Sequence, residues 1–174
     1  MLIYQDPDFK LQPIYLNDAE YEQAMRAFII LCSDVVFINH AQRIVYLAER
    51  IVEPVKGLWW IGGRVLRGET FETAAVRKIH EECGIKVAED RLKFVEIIRH
   101  MSAMRKQHPQ NVGADTMTFT YFVEIQPEEV VEANLALSPT EYAPASLLPY
   151  DVSRLKEIGV HQQVLDICSL IFSQ

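Results

Sequence analysis

The chain has 174 residues, 49% of them hydrophobic, and a formal net charge of −7 at pH 7. This length and composition suffice for one domain with a substantial core, and we predict a single domain over residues 1–174. The acidic balance argues against a nucleic-acid partner, because nucleic-acid binding requires a basic surface. A phosphate-bearing ligand would need positive charge concentrated at one place.

The cysteines and the apolar patterning bear on cellular location. Cys32, Cys83 and Cys168 are scattered, odd in number and without metal-ligand spacing, which is typical of reduced, packed thiols. The first ten residues lack the basic start and long apolar run of a signal peptide. No apolar stretch approaches membrane-spanning length. We therefore expect a cytoplasmic protein with no membrane partner.

In chain order, the first predicted element is an amphipathic helix over about residues 18–28. Residues 29–38 and 43–48 are rich in β-branched and aromatic side chains and flank a polar turn, which predicts a β-hairpin. A third, short strand carries Trp59 and Trp60. Because side chains alternate along a strand, one tryptophan is expected in the core and the other along a cleft.

The C-terminal half predicts two strands and two helices. Residues 92–101 and 116–125 show the alternation and composition of strands. Residues 127–148 contain three prolines and are predicted to be irregular. Residues 152–158 and about 160–172 are predicted helices, the second strongly apolar. Strands around a central helix, followed by terminal helices, predict an α/β fold with a mixed sheet.

The most informative stretch lies between these halves: residues 63–85, GRVLRGETFETAAVRKIHEECGI. Thr70 can cap a helix by accepting main-chain N–H bonds, and Gly84 can adopt the left-handed conformation that ends one. Glu69, in the loop before this helix, can pair with Arg77 and join loop to helix.

The charged residues near the end of this helix suit metal and phosphate chemistry. Arg77 and Glu81 are i, i+4 neighbours, and so are Lys78 and Glu82. Carboxylates here can hold a hard cation, since Mg²⁺ typically takes one or two carboxylates plus phosphate oxygens. Lys78 can pair with Glu82, contact a phosphate, or extend into solvent as a surface lysine. A surface helix with solvated ion pairs is the alternative for the whole pattern.

The spacing of these residues resembles the Nudix box, the signature of hydrolases acting on a nucleoside diphosphate linked to another group; the positions are Gly63, Glu69, Arg77, Glu81, Glu82, Gly84 and Ile85. Lys78 stands where the family pattern has a glutamate. The resemblance implies a Nudix-type α/β/α sandwich with a mixed β-sheet and a requirement for Mg²⁺ or Mn²⁺.

A narrower resemblance covers roughly residues 15–125. The runs YLNDAEYEQAMRAFIILCSDVVFIN, GLWWIGGRVLRGET and GADTMTFTYFVEI are similar to the GDP-mannose mannosyl hydrolase branch of that family. This branch cleaves the C–O bond at the anomeric carbon and releases GDP and free sugar. It also lacks the glutamate after the box arginine. The resemblance implies a nucleoside diphosphate sugar as ligand and a homodimer.

The same resemblance implies roles for individual residues. Glu82 and the carbonyl of Gly62 correspond to metal ligands, and Arg50 and Arg64 to arginines that hold the departing diphosphate. Asp34 corresponds to a strand aspartate near the active site. Three further site candidates are Tyr121 and Lys78 for substrate binding and Glu81 for catalysis.

The general base is the least defined part of the predicted site. The branch uses a histidine beside a metal-binding glutamine in the loop after the last strand, and that region here has neither. Glu132, Glu141, His100 and His108 are the candidates, none at a matching position.

Three functions are therefore compatible with the sequence. The first is a Mg²⁺-dependent hydrolase of a GDP-mannose-like nucleotide sugar. The second is a Nudix pyrophosphohydrolase that cuts the phosphoanhydride of an NDP-sugar or ADP-ribose-type substrate. The third is a Nudix domain that binds a nucleotide without turnover.

Overall fold

Strands and helices alternate along the part of the chain that the computed structural model describes, residues 2–11 and 14–173. None of the helices described there is long and apolar enough to cross a membrane. The elements are α1 (Asp18–Ala27), β1 (Ile30–Asn39), β2 (Ile44–Arg50), β3 (Gly57–Trp59), β4 (Ile61–Arg64), α2 (Phe71–Cys83), β5 (Lys93–Ser102), β6 (Ala114–Glu124), α3 (Pro127–Leu135), β7 (Leu148–Asp151), α4 (Val152–Glu157) and α5 (Gln162–Ile171).

The strands form one mixed sheet with β1 at its centre. The order is β3-β2-β1-β6-β5, with β4 paired to β1 and β7 paired to β2. β1 runs parallel to β6 and antiparallel to β2 and β4. One edge of β1 is thus shared by two short partners in succession, β4 beside Asp34 and β2 beside Phe37. The sheet splits at Val36, where β1 changes partner from β4 to β2 beside Ile61, the first residue of β4.

Alternation along β1 builds a core on each face of this sheet. Val35 and Phe37 pack with Ile79 of α2, whereas Val36 and Ile38 pack with apolar residues of α4 and α5 on the other face. Residues 35–38 of β1 are buried on both sides because helices cover both sides of the sheet there. The predicted Nudix-type α/β/α sandwich with a mixed β-sheet is confirmed.

Local signals define the central helix as predicted. The Thr70 side chain accepts a hydrogen bond from the Thr73 main-chain N–H at 3.0 Å, and α2 starts at the next residue. Gly84 ends the helix with a φ of 71°, a left-handed conformation that glycine adopts without a steric penalty.

The prediction that residues 127–148 are irregular is wrong. The segment begins with α3 and ends by entering β7. Pro127 occupies the first helical position, where its missing N–H would have no partner in any case. Gln126 and Glu129 complete a capping box around that start, so this proline begins a helix.

Candidate functional site

A cleft of about 300 Å³ opens where the sheet splits, between α1, β1, β4 and the end of α2. It gathers basic side chains from separate parts of the chain, namely Arg50, Arg64, Lys78, Arg105 and Lys106. Its acidic side chains are Asp34, Glu53, Glu82 and Glu141. The cleft thus has five basic against four acidic side chains, in a chain whose net charge is −7. A second recess, between α1 and residues 106–109, contains His108, one of the candidate bases, and none of the predicted metal-binding or phosphate-binding residues.

Arg77 joins the loop before α2 to β4. Its guanidinium donates to Glu69 Oε2 at 2.9 Å, to Glu81 Oε2 at 3.0 Å and to the carbonyl oxygen of Arg64 at 2.9 Å. Burial alone would raise the pKa of Glu69, but the bonds from Arg77 and from the Leu66 N–H outweigh it and lower that pKa. The predicted Glu69–Arg77 pair is confirmed, and its effect is to hold the strand that carries Arg64.

Lys78 and Glu82 form a close ion pair within the cleft. The Lys78 ammonium contacts Glu82 Oε1, and the Tyr142 hydroxyl donates to Glu82 Oε2 at 2.8 Å. The Glu82 side chain is only 5% exposed. Tyr142 is itself buried, and burial together with the Glu82 charge raises its pKa well above its usual value, so the phenol remains a donor. Both oxygens of Glu82 are therefore engaged by side chains of this protein.

A main-chain contact positions Tyr142. The Ser138 N–H donates to the carbonyl oxygen of Glu82 at 2.8 Å, and the Tyr142 N–H donates to the Ser138 carbonyl at 3.0 Å. Tyr142 also forms an isolated antiparallel bridge with Arg50 at the end of β2. The segment after α3 is thereby held against the C-terminal end of α2. Sequence reasoning missed Tyr142, because it lies 60 residues from Glu82 in no recognisable motif.

Asp34 lies in the cleft, in register with Gly62 of β4. Trp60 Nε1 donates to its Oδ2 at 2.7 Å. Burial raises the pKa of Asp34 to about 6, although the Trp60 hydrogen bond and the Arg50 charge oppose the shift. A Cβ at Gly62 would overlap the Asp34 carboxylate and main chain. Glycine at position 62 thus permits the close approach of Asp34 to β4.

Trp59 and Trp60 both line the cleft and both are buried, so the prediction of one core tryptophan and one cleft tryptophan is wrong. β3 ends at Trp59 and β4 begins at Ile61, so Trp60 lies at a break where strand alternation does not hold. The two rings pack with centroids 4.5 Å apart, and both side chains are buried. His100 and His161 stack beside Trp59, with centroids 5.6 Å apart.

The predicted phosphate-binding arginines reach the cleft from different strands. Arg64, at the end of β4, lies over the ring of Tyr21 in α1, 4.1 Å from its centroid. Arg50, at the end of β2, contacts Glu141 Oε2 at 3.5 Å, and its buried Nε has no hydrogen-bond partner among the described residues. Lys106 contacts the other oxygen of Glu141 at 2.6 Å. The cationic groups are thus partly paired and still hold a free donor.

The remaining predicted site residues lie partly inside and partly outside the cleft. Tyr121 faces α2, on the sheet face opposite Asp34, where it is buried and donates to Glu72 at 2.9 Å. We therefore leave Tyr121 out of the proposed site. Glu81 does not line the cleft; its side chain is 45% exposed and receives bonds from Arg77. Of the base candidates, His100 and Glu141 line the cleft, whereas Glu132 and His108 do not.

The chain is an α/β protein whose cleft gathers side chains of the kind that bind phosphate. Residues 31–164 match the family described as NUDIX domain, so the chain belongs to the Nudix family. Structures with a similar fold include a MutT NUDIX hydrolase from Burkholderia pseudomallei, with 16% identity, a TM-score of 0.62, and coverage of 83% of this chain and 98% of that one. A NUDIX hydrolase from Nitrosomonas europaea has 15% identity and a TM-score of 0.53, with coverage of 82% of this chain and 86% of that one. The Ap4A hydrolase of C. elegans has 12% identity and a TM-score of 0.52, with coverage of 84% of this chain and 98% of that one. At these identities the likeness concerns the fold alone.

Nudix hydrolases act on nucleoside diphosphate derivatives and generally use a divalent metal such as Mg²⁺ or Mn²⁺. The residues of this cleft do not fit such an ion. The described residues contain no group of three or more His, Cys, Asp or Glu side chains placed to hold a metal. Gly62 and Glu82, the predicted ligands, do share the cleft, but Lys78 and Tyr142 already occupy the two oxygens of Glu82. A hard cation at Glu82 would have to share these oxygens with the two donors or displace them.

Proposed function

We propose that this Nudix protein binds a nucleoside diphosphate sugar, of the GDP-mannose type, and hydrolyses it to nucleoside diphosphate and free sugar. The observation that carries the proposal is the convergence of Arg50, Arg64 and Lys78, from β2, β4 and α2, on one cleft of a chain with net charge −7. A diphosphate is the ligand chemistry that such a cluster matches, because guanidinium groups pair with phosphate oxygens through two hydrogen bonds.

Cleavage at the anomeric carbon places the growing negative charge on the departing diphosphate. Arg50 and Arg64 would meet its oxygens, and Lys78 would add a third positive charge. Arg64 is preorganised by its stacking on Tyr21 and by the bond from Arg77 to its carbonyl oxygen. Donors that are in place before the reaction stabilise charge as it develops, without further reorganisation.

We propose Asp34 as the group that accepts the proton of the attacking water. With a pKa of about 6 it is ionised at neutral pH, yet it is a stronger base than a solvated aspartate. Trp60 donates to Oδ2 and orients the carboxylate, and Oδ1 receives no hydrogen bond from the described residues. His100 is the second candidate, since burial and the His161 charge lower its pKa and keep the ring neutral.

Product analysis tests this function. GDP-mannose is incubated with the protein, with Mg²⁺ and separately with EDTA, and the products are separated by ion-exchange chromatography. GDP plus mannose supports the proposal, whereas GMP plus mannose 1-phosphate indicates attack on phosphorus. Arg64→Gln is compared with Arg67→Gln, which removes an arginine outside the cleft. Activity that both variants lose equally would not arise from this site.

A second candidate function is binding without turnover, as sensor or assembly partner. The observation that favours it is the engagement of Glu82 by Lys78 and Tyr142, since Nudix hydrolases generally use a metal. Binding of GDP-mannose by calorimetry, with no product after prolonged incubation, would identify this function.

The expected homodimer is also a proposal. Apolar side chains near the N-terminus are largely exposed in the single chain: Leu2 at 82%, Ile3 at 66% and Tyr4 at 89%. A second copy is one partner that would cover them. Sedimentation equilibrium of the full chain, and of a Leu2→Ser/Ile3→Ser/Tyr4→Ser variant, tests this.

A further inference from the structure

We propose that Lys78 takes the place of the divalent cation in this site: its ammonium group neutralises Glu82 and presents positive charge to the ligand's diphosphate, so that binding needs no metal. The proposal rests on the proposed function for the class of ligand. It departs from the family's general use of Mg²⁺ or Mn²⁺ and concerns this chain's own residues.

The first support is that each oxygen of Glu82 already has a donor from this protein. Lys78 contacts Oε1, and the buried Tyr142 hydroxyl donates to Oε2 at 2.8 Å. A metal ligated by Glu82 would have to share an oxygen with one of these donors or displace it. The carbonyl of Gly62 is the other nearby predicted ligand, so water and phosphate oxygens would have to supply the rest of the coordination.

The second support is the course of the Lys78 side chain. Its stem crosses directly over Gly63, where an added Cβ would lie 2.9 Å from Lys78 Cε. The side chain is 17% exposed, so the stem is packed and the head is directed at Glu82. Lys78 also lies 3.4 Å from Glu81 Oε2. A lysine that extended into solvent would make none of these contacts, and the alternative of a surface lysine is therefore disfavoured.

The third support is electrostatic. A divalent cation next to the Lys78 ammonium would be repelled, and the repulsion is strong where water is largely excluded. Expelling Lys78 would break a largely buried ion pair, and losing one partner of such a pair is strongly destabilising. A diphosphate would be attracted to this site instead of repelled, because it brings negative charge to an ammonium that Glu82 already holds in place.

Metal binding is the first test. Free Mn²⁺ is measured by electron paramagnetic resonance during titration of the wild type, Glu82→Gln, Lys78→Glu and the exposed control Lys86→Glu. We expect that the wild type and Glu82→Gln bind Mn²⁺ alike, because Glu82 holds no ion. Lys78→Glu should gain a Mn²⁺ site, because the substitution places two carboxylates one helical turn apart. Lys86→Glu adds the same charge and should gain no site. A wild-type Mn²⁺ site that Glu82→Gln abolishes would overturn the proposal.

Ligand binding is the second test, with GDP as the probe and calorimetry in EDTA or in Mg²⁺. The wild type should bind GDP equally in both, and Lys78→Gln should bind about tenfold or more weakly in EDTA, as for loss of a charge-assisted contact. Thermal unfolding of Lys78→Gln establishes that the variant is folded. Lys86→Gln should bind like the wild type.

The outcomes separate this proposal from the proposed function. Wild-type binding of GDP that requires Mg²⁺ would overturn the role of Lys78 and leave the nucleotide-binding function intact. Equal binding by folded Lys78→Gln and wild type in EDTA would also overturn it. No binding of GDP or GDP-mannose under either condition would overturn the proposed function itself. If Lys78→Gln does not fold, the two wild-type measurements decide alone.

Discussion

Replacing Asp34 by asparagine should make the stability of this protein less dependent on pH. Asp34 lies in the cleft between Trp60 and Gly62, where the ionised carboxylate is costly because water is largely excluded. Asparagine has nearly the same shape and can still accept the Trp60 hydrogen bond through its side-chain oxygen. The substitution therefore removes the charge and keeps the contacts.

The size of the effect follows from the pKa. Burial raises the pKa of Asp34 from 3.8 to about 6, so the folded protein holds its proton more tightly than the unfolded chain. Its contribution to stability is fully present below pH 3.8 and is lost as the pH rises through about 6. A shift of about two pKa units corresponds to roughly 3 kcal/mol, as an upper limit. Asparagine has no such titration.

Urea unfolding of both proteins in EDTA, at intervals between pH 3.5 and 8, measures the difference. The stability of Asp34→Asn relative to the wild type should rise between about pH 4 and pH 6, by up to roughly 3 kcal/mol, and stay constant above. Other carboxylates are common to both proteins, so their titration cancels. The exposed Asp90→Asn is the control for loss of a carboxylate outside the cleft. A flat difference for Asp34→Asn would refute the reasoning.

Three further outcomes are expected. Arg64→Gln should lower kcat on an active substrate about 100-fold or more while KM changes little. Arg64→Lys should recover only part of the lost kcat, because an ammonium cannot form the two parallel hydrogen bonds of a guanidinium. An unchanged kcat would place Arg64 outside the reaction. Gly62→Ala should lower the unfolding free energy by about 1–3 kcal/mol, because the new methyl overlaps the side chain and main chain of Asp34. Gly63→Ala should cost less, because its methyl meets only the Lys78 side chain, at 2.9 Å from Cε. Equal melting temperatures would contradict this. Glu69→Gln should reduce the loss of stability on acidification below about pH 4.5, since the pKa of Glu69 is lowered in the folded state; an identical acid titration of the two proteins would contradict this.

The ends and ion pairs of α2 could be predicted from the sequence, because they depend only on residues close to one another along one helix. Thr70 and Gly84 mark the ends of α2 through main-chain conformation and capping, which require no distant contact. The pairs Arg77–Glu81 and Lys78–Glu82 follow from helical spacing. The sandwich was predictable as well, since strand and helix periodicities determine which faces must be buried.

The strand registers determine which side chains face the cleft, and no local sequence pattern contains this information. They place Tyr121 on the α2 face of β6 and Asp34 on the cleft face of β1, although both had been expected in the site. A shift of one residue along a strand exchanges its faces, and periodicity alone does not set that shift.

Tertiary structure also brought together groups that are far apart in sequence. Trp60 reaches Asp34 across 26 positions, and Tyr142 reaches Glu82 across 60. The sequence by itself determined that a carboxylate and a lysine share one turn of a helix at a Nudix box. Only the folded chain decided that both oxygens of that carboxylate are already occupied, because the second donor arrives from a segment whose position depends on the whole sheet.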